Sequence, residues 1–96
     1  MTIKEFTKHY NNILKFPKLG IYPEKEDCLK SEIQRLADID KISYPLALDK
    51  IYSIFLSQYL EADPDDSNFR DIQKATVNLL FLKELEGLDN DWLHNV

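Results

Sequence analysis

A chain of 96 residues has room for one hydrophobic core and not for two. Only two glycines and four prolines occur in it, and 44% of its residues are hydrophobic, which argues against disorder and against a turn-rich β fold. The net charge is −5, and residues 49–96 carry ten of the 17 acidic side chains but four of the 12 basic ones, so we expect no nucleic-acid partner.

The first predicted helix spans residues 3–15 and ends before Pro17. Thr2 and Glu5 have the spacing of a capping box, in which each side chain satisfies a free backbone N–H of the first turn. Apolar residues then recur at steps of three and four, which is the period of a helix with one buried face. These residues are Ile3, Phe6, Tyr10 and Ile13.

The second and third predicted helices span residues 23–39 and 44–61. Pro23 suits a first helical position, Ser43 is placed to cap the third helix, and Pro45 is tolerated in the first turn after it. The apolar stripe of the third helix is wider than that of a one-sided surface helix, so we expect this helix to be central. The predicted apolar faces contain Leu29, Ile33 and Leu36, and then Leu48, Ile51, Tyr52, Ile54, Phe55, Leu56, Tyr59 and Leu60.

The fourth predicted helix spans residues 64–86, because Pro64 fits its first turn and Gly87 closes it. At about 100° per residue, this helix has two apolar faces rather than one. The broad face contains Phe69, Ile72, Ala75, Thr76, Leu79, Leu80 and Leu82. A second stripe, roughly opposite, contains Val77, Phe81, Leu85 and Leu88. An apolar ridge that the core does not cover usually marks a contact with another molecule.

The predicted tail, residues 87–96, adds Trp92 and Leu93 beyond this second stripe, and two interpretations stay open. In the first, Trp92 folds back over Val77, Phe81 and Leu85 as the last piece of the core. In the second, the stripe and the tail together form an interaction surface. The candidate partner-binding residues are Phe81, Leu85, Leu88, Trp92, Leu93 and His94.

The sequence predicts no catalytic, cofactor-binding or metal-binding residues. His9 and His94 have no second ligand at helical spacing, and a pairing of Cys28 with His9 lacks the positive surroundings that activate a thiol. The acidic stretch 63–66 lacks the glycine and the closing glutamate of a calcium loop.

Small helical enzymes that bind a dianionic substrate use several cations, and only two arginines, Arg35 and Arg70, are present. More than two basic residues converging on one cavity would favour an enzyme.

The expected location is the cytoplasm. The longest apolar run is residues 79–82, far short of the roughly 18 residues of a transmembrane helix. Residues 1–8 are amphipathic and lack the apolar core of a secretory signal. Cys28 is the only cysteine, so an internal disulfide is excluded and a reducing compartment is favoured. We therefore expect a single all-α domain with no transmembrane segment.

The start of the third helix, Ser43-Tyr44-Pro45-Leu46-Ala47-Leu48, carries a family resemblance. Together with the apolar face of the preceding helix and a fourth helix leading to a short tail, it resembles the immunity proteins of class IIa (pediocin-like) bacteriocins, of the enterocin A immunity type. The resemblance covers roughly residues 29–86. Many members of that family are basic, whereas this chain is acidic, and its tail is short.

The resemblance implies an antiparallel four-helix bundle that protects a cell from a pore-forming peptide. Such proteins are thought to recognise the mannose phosphotransferase permease at the cytosolic face of the membrane once the bacteriocin has engaged it. The C-terminal half is credited with specificity, and here that half contains the two-faced fourth helix. We expect a monomer whose partner is a protein, because an acidic half is repelled by anionic lipid.

An alternative function is a small helical adaptor or regulator, of phage or antitoxin type. In that case the second stripe of the fourth helix is the seam of a dimer or the contact with another protein. Mass measurement in solution distinguishes a stable dimer from the monomer expected of an immunity protein.

Overall fold

The computed structural model describes residues 2–94, with side chains described for residues 2–85, and every regular element in that part of the chain is helical. The predicted all-α class is therefore confirmed. The five α-helices are Ile3–His9 (α1), Asn11–Leu14 (α2), Glu26–Asp40 (α3), Tyr44–Glu61 (α4) and Phe69–His94 (α5), and a 3-10 helix, Pro23–Lys25, leads into α3.

The first predicted helix is interrupted at Tyr10, so the prediction of one continuous helix over residues 3–15 was wrong. Its start is confirmed, because the Thr2 hydroxyl accepts a hydrogen bond from the backbone N–H of Glu5 at 3.2 Å. Tyr10 has φ −106° and ψ 23°, outside the helical region, and its buried ring lies 5.2 Å from the ring of Phe55. The break in the helix thus coincides with the packing of the Tyr10 ring. Ile3, which was predicted on the buried face, is 42% exposed.

Helix α4 begins and ends where the sequence predicted. Ser43 caps it by accepting from the backbone N–H of Leu46 at 3.4 Å. The helix before it, α3, ends at Asp40 and is followed by Lys41, which adopts the left-handed conformation with φ 58° and ψ 43°. This conformation lets the backbone N–H of Ile42 reach back to the carbonyl of Ala37 at 3.0 Å, which satisfies a free carbonyl at the helix end.

Helix α5 begins later than the predicted residue 64. Two aspartate side chains accept hydrogen bonds from the backbone of residues 63–68 and hold that segment in two turns. The Asp63 carboxylate accepts from the N–H of Asp65 at 2.9 Å, and the Asp66 carboxylate accepts from the N–H of Asn68 at 2.8 Å. Such local bonds compete with helix formation. The first helical residue is therefore Phe69.

The predicted stop at Gly87 was also wrong, because the backbone of α5 stays helical through that position to His94. A glycine inside a helix costs only about 1 kcal/mol relative to alanine, so it does not by itself end one. The predicted tail is thus a continuation of the helix. The interpretation in which Trp92 folds back over Val77 needs a turn that this helical backbone does not contain.

The core lies where α4 packs against both α3 and α5, which confirms α4 as the central helix. Helices α4 and α5 run antiparallel: Tyr59 near the end of α4 meets Phe69 at the start of α5 edge-to-face, with ring centroids 5.4 Å apart, and Asp49 near the start of α4 pairs with Lys83 further along α5. Leu60 is 75% exposed and does not belong to the core as predicted. The largest fully buried side chains are Phe6, Phe55, Ile13, Leu19, Leu29, Ile33, Leu48, Ile72, Leu79 and Leu82.

Asn78 is a buried polar side chain that connects α5 to the loop after α2. Its Oδ1 accepts from the backbone N–H of Leu19 at 3.0 Å, and its Nδ2 donates to the carbonyl of Pro17 at 2.9 Å. Both loop groups would otherwise lack a partner beside the core. One side chain therefore holds the loop against α5.

We expect Asn78→Ala to lower the free energy of unfolding by about 2–4 kcal/mol, because it leaves two loop groups without hydrogen bonds in a buried setting. Urea unfolding at neutral pH measures the loss. Asn12→Ala is the matched control, since Asn12 is exposed and makes a single long bond of 3.4 Å to Glu32. Comparable losses in the two variants would show that the loop is not held by Asn78.

Burial and the nearby charge of Asp40 raise the pKa of Tyr10 above its ordinary value of 10.0. Because the pKa of Tyr10 is higher in the folded state than in the unfolded state, its contribution to the free energy of unfolding is fully present below the unfolded-state pKa. That contribution is lost as pH rises from there through the folded-state pKa. We expect the free energy of unfolding to fall more steeply above about pH 10 in the parent than in Tyr10→Phe. Identical profiles for the parent and Tyr10→Phe would contradict this assignment.

Candidate interaction surface

Helix α5 has a buried inner face and an outer face that the rest of the described chain leaves partly uncovered. The inner face contains Ile72, Ala75, Thr76, Leu79 and Leu82. We define the outer face of α5 as Val77, Leu80, Phe81 and Leu85. Val77 is 58% exposed and Leu80 38% exposed, while Phe81 and Leu85 are half-buried.

Phe81 has two roles because of its position between the two faces. Part of its ring packs against the core, and the remainder is open to solvent. Leu85 follows one helical turn later and is also half-buried. These two are the predicted partner-binding residues that the structure describes. Leu88, Trp92, Leu93 and His94 lie outside the residues with described side chains, so their membership of the surface stays a prediction.

Among the α5 residues with described side chains, Val77 and Leu80 are the most exposed large apolar residues, and the prediction named neither as a binding candidate. Val77 was placed in the second stripe but not among the site residues, and Leu80 was assigned to the buried face. Leu80 lies at the margin of that face, where the helical period does not by itself decide exposure. The three-residue step from Val77 to Leu80 puts both on neighbouring parts of one surface.

Lys83 does not place its charge on the outer face, because it is held against α4. Its Nζ lies 2.7 Å from Asp49 Oδ1 and 4.7 Å from the centre of the Tyr52 ring. The exposed charges beside the outer face are those of Glu84 and, next to Val77, of Arg70. The outer face therefore has exposed neighbours of both charge signs.

The cysteine and the described histidine considered for catalysis are not brought together, and Arg35 does not share a cleft with Arg70. Cys28 is exposed and borders a cleft with Lys15 and Lys25, whereas His9 borders different clefts. Arg35 pairs with Glu32, and this hydrogen bond holds the pKa of the Glu32 carboxyl below its usual value. No three histidine, cysteine or acidic side chains among those described are grouped to hold a metal ion.

Comparison with known proteins adds no relative: no family model, curated protein or solved structure matches the chain. Within the described residues, no helix combines the length and the apolar character needed to cross a membrane. The outer face of α5 is the partly exposed apolar surface that contains the described candidate residues Phe81 and Leu85.

A pair of serine substitutions separates the exposed part of this face from its packed part. We expect Val77→Ser to change the free energy of unfolding by less than about 0.5 kcal/mol, because the side chain is mostly in water. Phe81→Ser should cost about 2–3 kcal/mol, because part of the ring leaves the core. Urea unfolding measures both; equal losses would mean that Val77 is packed.

Proposed function

We propose that this protein is a cytoplasmic, non-enzymatic bacteriocin immunity protein that acts against a pediocin-like peptide. In this proposal it binds the mannose phosphotransferase permease engaged by the toxin, as a monomer, at the cytosolic face of the membrane. The outer face of α5 supplies the contact. No cofactor, metal or nucleic acid takes part.

The observation that carries the proposal is the exposed apolar strip on the C-terminal helix of an otherwise well-buried core. Val77 and Leu80 stand in water although ten large side chains elsewhere are fully buried. An uncovered apolar strip is costly unless a partner covers it. The family that the start of α4 resembles assigns specificity to this same C-terminal region.

The arrangement of the helices is compatible with the four-helix bundle that the family implies. Helices α1 and α2 are separated only by Tyr10 and act together as one interrupted first helix, followed by α3, α4 and α5. Ser43 and Pro45 start α4 as the resemblance requires. In the proposed assembly, α5 faces the bundle with Leu79 and Leu82 and the permease with its outer face.

The alternative adaptor function uses the same strip as a dimer seam, and the exposed Val77 and Leu80 favour it equally. Light scattering after size-exclusion chromatography distinguishes the two. A monomer of 11.3 kDa at micromolar concentration supports the immunity function. A dimer that dissociates in the Val77→Ser and Leu80→Ser variants supports the adaptor function. In that case the strip is buried in the dimer and does not contact the permease.

Expression in a bacteriocin-sensitive strain tests the proposed function directly. We expect growth in the presence of at least one pediocin-like peptide from a panel, and a loss of that protection with Val77→Ser or Leu80→Ser. Because both residues are exposed, the variants should be present at the parent's level and unfold at nearly the parent's temperature.

The matched control is Ser57→Thr on α4, an exposed position away from the outer face, which should retain protection. Absence of protection against every peptide, with the folded protein present, rules out the immunity function. Protection that survives both serine variants rules out the outer face of α5 as the contact.

A further inference from the structure

A cleft of about 660 Å³ lies between the loop after α2 and the first turns of α5, at the end of the outer face where Val77 stands. Its walls are formed by Lys18, Arg70, Asp71, Gln73, Lys74 and Val77. Three of these six residues are cationic and one is anionic. A chain with a net charge of −5 thus gathers an excess of positive charge at one concave site.

The cations come from distant parts of the chain and are largely available. Arg70 and Lys74 are one helical turn apart on α5, and Lys18 reaches the cleft from the loop. The side chains of Lys18 and Arg70 are exposed and form no ion pair or hydrogen bond with any described residue. Lys74 is paired only loosely, with its Nζ 3.5 Å from the Asp71 carboxylate.

The backbone at Lys18 is held by hydrogen bonds of its own carbonyl and of the two residues beside it. Asn78 binds the carbonyl of Pro17 and the N–H of Leu19, the residues on either side of Lys18. The carbonyl of Lys18 accepts from the N–H groups of Ile21 and Tyr22 at 3.0 and 2.9 Å. The backbone that carries this cation is therefore fixed before any ligand arrives, which reduces the entropic cost of binding.

We propose that this cleft binds a multivalent oxyanion, a small soluble molecule that bears a phosphate group. The planar Arg70 guanidinium offers paired N–H donors to two oxygens of a phosphate, and Lys18 and Lys74 add point charges from the sides. Arg70 also lies in the first turn of the long helix α5, whose N-terminal dipole favours an anion. The cleft has room beside the phosphate for an organic part against Gln73 and Val77.

This site is independent of the proposed immunity function, because it requires no protein partner. Three basic residues, Lys18, Arg70 and Lys74, line this one cleft, which is the condition given above as favouring an enzyme that binds a dianionic substrate. The described lining residues supply binding groups, with Asp71 as the single carboxylate, and we assign binding alone to them.

Isothermal titration with inorganic phosphate and pyrophosphate, at constant ionic strength set with sodium chloride, tests the proposal on the parent protein. We expect pyrophosphate to bind with a dissociation constant below about 10 mM and more tightly than phosphate. Arg70→Gln and Lys18→Gln should each weaken binding by about tenfold or more. Lys4→Gln, the same charge change at an exposed position outside the cleft, should leave binding unchanged.

A vesicle arm separates a soluble ligand from a lipid headgroup. Co-sedimentation with vesicles of equal parts phosphatidylcholine and phosphatidylglycerol should be absent. Vesicle binding that Arg70→Gln removes, without pyrophosphate binding in solution, overturns the proposal in favour of a membrane phosphate. Absence of any anion binding up to about 10 mM, or an equal effect of Lys4→Gln and Arg70→Gln, overturns it outright.

Discussion

Two hydrogen bonds from Asn78 connect the loop after α2 to the middle of α5, and much of the molecule depends on them. They join residues separated by 59 and 61 positions in the chain. Leu19, which is fully buried, enters the core beside this contact. The amide is suited to the task because one side chain offers both a donor and an acceptor, as the loop requires at Pro17 and Leu19.

The same contact lies beside both surfaces to which we assign binding, the outer face of α5 and the cleft lined by Lys18 and Arg70. The loop that Asn78 holds carries Lys18 to the cleft at the start of α5. Val77, the neighbour of Asn78 in the chain, borders that cleft and also begins the outer face. An apolar strip for a protein and a cationic cleft for an oxyanion therefore adjoin at a fixed part of the structure, while Lys83 is kept away from both by Asp49.

Helix α5 shows why an apolar period does not by itself identify a core. Its sequence has two apolar stripes, and the helical backbone can bury only one of them in a small domain. The core takes Ile72, Ala75 and Leu79, and the other stripe is left partly open at Val77. Leu80 lies at the margin between the two stripes, because its place on the helical wheel fits either side, and it is 38% exposed.

The sequence alone determined the helical class, the capping of α1 by Thr2, the full extent of α4 and most of the core, because these depend on local spacing and short-range hydrogen bonds. The candidate surface was predicted in part, through Phe81 and Leu85. Only the tertiary structure decided the break at Tyr10, the role of Asn78 and the meeting of Lys18 with Arg70. Each of these depends on contacts between residues far apart in the chain, which no local pattern encodes. These contacts place two adjoining surfaces together, the outer face of α5 and the cleft between its first turns and the loop after α2.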